Sequence, residues 1–79
     1  MEIRTTDLYY AAALMANGAV LAKTDKSDSR HMRFCIEIPA GSKCDAEELE
    51  SQWVNSTLTV NAAAFRDSIQ RLKAVIHSE

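Results

Sequence analysis

Glycine, proline and cysteine are all scarce in this 79-residue chain, which holds two glycines, one proline and two cysteines. Gly18 and Gly41 lie far apart, so no glycine-rich loop is available to cradle a phosphate. Cys35 and Cys44 form no C-x-x-C pair, and with His31 and His77 they lack the paired spacing of a zinc site. His31 and Cys35 share one face of an expected strand, but four residues of strand separate them by about 13 Å, too far for one ion. No metal and no cofactor is therefore expected. A cysteine nucleophile would need a histidine beside it and a third group to orient that histidine, and nothing in the chain fixes such a triad. The expectation is a protein that is not an enzyme.

Long apolar runs are missing as well. The longest, Leu8 to Ala16, is nine residues, well short of the roughly 20 that span a bilayer. Met1 to Thr6 lacks a charged start followed by an apolar core, so no signal peptide is expected, and a reducing cytoplasm is the expected compartment. In that compartment a Cys35–Cys44 disulfide is disfavoured. Neither sign of charge dominates: the net charge is −2, which argues against a surface given wholly to nucleic acid but leaves room for a basic patch. Low-complexity segments and internal repeats are absent, and the composition, 47% apolar with 25% charged, is that of a folded protein. A single small domain over residues 1–79 is expected. At this size only roughly 60–65% of the unfolded surface is buried, so association would help stability.

What is present is organised around TTDLYYAAALMANG, Thr5 to Gly18. Nine consecutive apolar residues leave no polar stripe on a helix, so this one must be buried around most of its circumference. Thr5 or Thr6 can cap it, Asp7 suits the positive end of its dipole, and Gly18 can end it in the left-handed conformation. Three successive alanines allow another layer of backbone, expected to be a sheet, to approach closely. Tyr9 and Tyr10 cannot both be buried with satisfied hydroxyls in so small a core, so one is expected at the surface.

Glu2 to Arg4 is either a short edge strand with Ile3 inward or a lead-in. Ala19 to Thr24 has strand composition, and Asp25 to Ser29 has turn chemistry. The clearest alternation follows: Met32, Phe34, Ile36 and Ile38 point one way, and His31, Arg33, Cys35 and Glu37 the other. Two such runs predict an antiparallel hairpin, its apolar face covering the first helix or the last. Pro39 to Cys44 reads as a loop. Asp45 with Glu48 opens a second helix through Trp53, with Ala46, Leu49 and Trp53 inward. Thr57 to Val60 predicts a short strand, and Asn61 caps a final amphipathic helix whose inward stripe includes Phe65, Ile69 and Leu72. The order β?-α-β-β-α-β-α is an α+β domain in which a small, mainly antiparallel sheet is covered by three helices.

The helix TTDLYYAAALMANG, the aromatic-centred strand Arg33 to Glu37, Trp53 with Asn55, and Val60 followed by AAFRDSIQRLKAVI together resemble a family of short phage, prophage and bacterial proteins grouped as a domain of unknown function. The resemblance covers most of the chain. Its helix motif is unusual and its last helix generic. The chain departs from the family at Ser56, where a glycine is expected soon after the tryptophan and asparagine, and in a longer Pro39–Cys44 loop. The resemblance implies a small accessory protein of mobile genetic elements and transfers no functional residue.

Two modes of action remain. Lys23, His31 and Arg33 can share the outer face of the hairpin, with Lys26 and Arg30 at its tip, and such a ribbon can ride phosphates or enter a major groove. Charged residues also coat exposed sheet faces for solubility alone. The favoured expectation is contact with a protein partner, or with a second copy as a homodimer, through the uncovered face carrying Cys35 and either Val20 or Leu21.

Overall fold

The computed structural model describes residues 1–28, 31–39, 41 and 45–78, with the side chains of residues 26–28, 31 and 78 outside the description. Three strands and three helices follow one another as β1 (Glu2–Thr5), α1 (Leu8–Ala16), β2 (Val20–Asp28), β3 (His31–Glu37), α2 (Ala46–Val54) and α3 (Ala62–Ser78). The strands make one antiparallel sheet in the order β1-β3-β2. The α+β architecture and the hairpin expected from the sequence are both present, and Glu2 to Thr5 is a strand.

Helix α1 is the centre of the molecule. Ala11, Ala12 and Leu14 have no exposed surface, and Tyr10 and Ala13 are also buried. All three strands contact α1 on one side, but its most extensive partner is α3 rather than the sheet to which the sequence assigned the close approach. Asn17, which ends α1, reaches the carbonyl of Thr59 just before α3 begins, so α3 starts beside the end of α1 and returns along it. Phe34, Ile36 and Ile38 supply the inner face of the sheet, Leu72 the face of α3, and Ala46 and Leu49 that of α2.

The helix ends follow from local chemistry. Asp7, not Thr5 or Thr6, caps α1: its carboxylate accepts from the Tyr9 and Tyr10 amides at 2.9 and 3.2 Å. Thr5 belongs to β1, and its hydroxyl accepts from the Asp7 amide instead. Asp45 caps α2 through the Glu48 amide, and Asn61 accepts from Ala64, both as expected. Helices α1 and α2 end in the same paired hydrogen bonds. Gly18 and Ala19 donate to Met15 and Leu14, and Ser56 and Thr57 donate to Trp53 and Gln52. That ending needs a left-handed residue, supplied by Gly18 in α1 and by Ser56 (φ 59°) in α2.

Two expectations are corrected. Thr57 to Val60 is not a strand: the Thr57 and Leu58 amides both donate to the Gln52 carbonyl, which folds the segment back onto the end of α2 and removes those donors from any ladder. Leu58 then packs against the core. Residues 25–28 are not a turn but continue β2, because β3 offers partners for them, with Asp25 opposite Arg33 and Asp28 opposite His31. The misfit between turn composition and strand pairing is absorbed by register shifts between Leu21 and Lys23 and between Asp25 and Asp28.

Candidate interaction surface

Helices cover one face of the sheet, and the side chains that alternate away from α1 form the other. Strand register arranges these outward residues in rows. Glu2, Glu37 and Val20 lie side by side, then Arg4, Cys35 and Lys23, then Arg33 beside Asp25. The bulge at Ala22 makes the second row possible. Without the extra residue, Lys23 would follow Leu21 onto the inner face.

Glu2, Arg4, Lys23 and Arg33 are exposed, and Val20 is 56% exposed. Val20, rather than Leu21, is therefore the apolar member of this face. Cys35 is a free thiol at 1% exposure even though it points away from α1. Its cross-strand neighbours Arg4 and Lys23 explain this: their aliphatic stems can lie over the small side chain while the charged ends remain in water. Arg4 Nε donates to Glu2 Oε1 at 2.9 Å. That hydrogen bond holds the Glu2 carboxyl below its ordinary value, against slight desolvation and with further help from the charges of Arg4 and Lys23.

Of the five basic positions singled out in the sequence, Lys23 and Arg33 are placed on this face. Lys26 and His31 lie on β2 and β3 with side chains outside the described residues, and Arg30 lies outside them altogether. Arg4 was missed. Its outward position followed from alternation with Ile3, but its place beside Cys35 depends on β1 pairing with β3, which no local pattern specifies. Cations and carboxylates interleave across the rows, so among the described residues the face has no continuous basic track.

Other exposed apolar side chains include Tyr9 on α1 at 55% and Val54 on α2 at 72%. Tyr9 is the surface tyrosine of the expected pair. Tyr10 is buried, stacked on Trp53 at 5.2 Å between ring centroids, and its hydroxyl has no hydrogen-bond partner among the described residues. Among the described residues, no three His, Cys, Asp or Glu side chains converge to hold a metal ion, and no helix is long and apolar enough to cross a membrane. Compared with family models, curated proteins and solved structures, the chain finds no match in any of the three.

Proposed function

We propose that this chain is a non-catalytic accessory protein, of the phage and prophage type its sequence resembles, that works through contact with a protein partner or with itself. The observation that carries this is the sheet face left bare by the helices. There Val20 stands exposed among Glu2, Arg4, Lys23, Arg33 and Glu37. Charges of both signs set within a few ångströms of one another select a partner with a complementary pattern, and they penalise one with the wrong pattern. A polyanion offers one sign only. Glu2, Glu37 and Asp25 would repel it where Arg4, Lys23 and Arg33 attract it.

Nucleic-acid binding is the second reading, favoured by the grouping of Arg4 with Lys23 and Arg33 on one face. The two readings separate by salt and nuclease. Affinity capture should retain a protein partner, or a second copy, after nuclease treatment, and Arg4→Glu with Arg33→Glu should abolish it. Capture that disappears with nuclease, together with duplex binding that weakens steeply with salt, would overturn the protein reading.

A further inference from the structure

Helix α3 turns Phe65, Ile69 and Leu72 inward, and among the described residues α1 is the only element with which it shares an extensive contact. The residues of its opposite side, from Ala63 to His77, are exposed. At roughly 3.6 residues per turn, Ala63, Gln70, Ala74 and His77 fall along the midline of that side, with Arg66 and Lys73 on one flank and Asp67 and Arg71 on the other. Three cations stand against one carboxylate, so α3 is positive in a chain whose net charge is −2. Arg66 Nε and Nη2 both donate to Asp67 Oδ1 at 3.1 Å. The side chains of Gln70, Arg71, Lys73 and His77 hold no hydrogen bond or ion pair among the described residues, so their polar ends are free to meet a ligand.

We propose that this side of α3 binds duplex DNA, lying in the major groove with Gln70 and His77 turned to base edges and Arg71 and Lys73 reaching phosphates on the groove walls. This goes beyond the protein contact proposed for the sheet, and it uses the other side of the molecule, since α1 lies between the sheet and α3. Charge selects the occupant first: a cationic helix in an acidic chain concentrates attraction for a polyanion on one surface. Geometry narrows the choice. The major groove, about 12 Å wide, admits a helix, and the small midline side chains Ala63 and Ala74 let its backbone approach the base pairs. Gln70 carries the amide that pairs bidentately with adenine. An anionic bilayer would need large apolar side chains along the exposed side, and the midline has none. Duplex RNA keeps its major groove too deep and narrow for side chains to read.

Fluorescence anisotropy of a labelled DNA duplex titrated with the intact chain tests the proposal, with circular dichroism confirming the fold of each variant. Half-saturation is expected between about 1 and 100 μM, and affinity should fall roughly 10- to 40-fold from about 50 to 200 mM salt, the slope of about two to three phosphate contacts. Arg71→Gln/Lys73→Gln should flatten that slope by about two, and Arg71→Glu/Lys73→Glu should weaken binding at least about tenfold. Asp67→Asn releases Arg66 and should tighten binding about threefold. Duplexes selected from a random pool should share a short site containing adenine, and Gln70→Ala should erase that preference while leaving the salt slope as it was. Arg4→Glu with Arg33→Glu should leave duplex binding unchanged while abolishing protein capture, so the two readings fail independently. Absence of binding at millimolar chain in low salt would overturn the proposal. So would binding indifferent to the α3 substitutions, or lost instead with the sheet pair. Equal binding to polyglutamate or to phosphatidylserine vesicles, or a random pool that yields no preferred site, would overturn the groove placement.

Discussion

At the scale of single residues, three positions hold conformations or environments that substitution can test. Asp7 satisfies two amides at the start of α1, so Asp7→Ala should lower unfolding free energy by about 1 kcal/mol in urea titration. The sequence offered Thr5 or Thr6 as the cap and gave Asp7 only a favourable place at the dipole, whereas the pairing of Thr5 with Phe34 in β1 takes Thr5 into the sheet and Asp7 accepts the first amides. Ser56 is left-handed, a conformation that glycine adopts without strain. Ser56→Gly should therefore raise stability by about 0.5–1 kcal/mol, the relief exceeding the added entropy of the unfolded chain. Tyr10 buries a hydroxyl that finds no partner among the described residues. Tyr10→Phe should leave stability unchanged or raise it by up to about 1 kcal/mol. Burial, and secondarily the negative charge of Glu50, push the Tyr10 phenol above its ordinary value of 10.0. The unfolded chain then loses this proton at lower pH than the folded one. Stability from this group is complete below pH 10, and it falls as pH rises through the interval between the two values. Tyr10→Phe should lack that alkaline loss in pH-resolved melting.

At the scale of elements, period and capping revealed each helix and the alternating strand, because those signals sit within a few residues of one another. β3 was the plainest, with Met32, Phe34, Ile36 and Ile38 on one face, and the structure buries the last three. Partner strands were harder to place. Residues 25–28 carry turn composition yet extend β2, and Thr57 to Val60 carries strand composition yet turns back onto α2. In both cases the outcome depends on which distant donors and acceptors are free, and local propensity does not contain that information. The outer face followed the same division. Lys23 and Arg33 could be assigned to it from the hairpin alone, whereas Arg4 needed the β1–β3 pairing. Leu14 has no exposed surface, and its side chain belongs to the helix that the sheet and α3 share. Leu14→Ala should cost about 2–5 kcal/mol, enough to unfold a domain of this size under mild conditions.

At the scale of the whole molecule, the radius of gyration is 12.1 Å, close to the roughly 12 Å expected of a compact chain this long. Such compactness comes from the placement of α1 between the sheet and α3. It spends the inner face of the sheet on the core and leaves Val20, Arg4, Lys23 and Arg33 exposed on the outer face. α2 is held more lightly, through Ala46, Leu49 and the Trp53 ring against Tyr10. Native-state hydrogen exchange resolves this order of stability residue by residue. The amides of Ala11 to Met15 should be among the slowest in the chain and exchange only through global unfolding, with those of α2 opening earlier. Exchange of the α1 amides as fast as those of α2, by local opening while the sheet stays protected, would contradict the central position of α1 and the surfaces assigned from it.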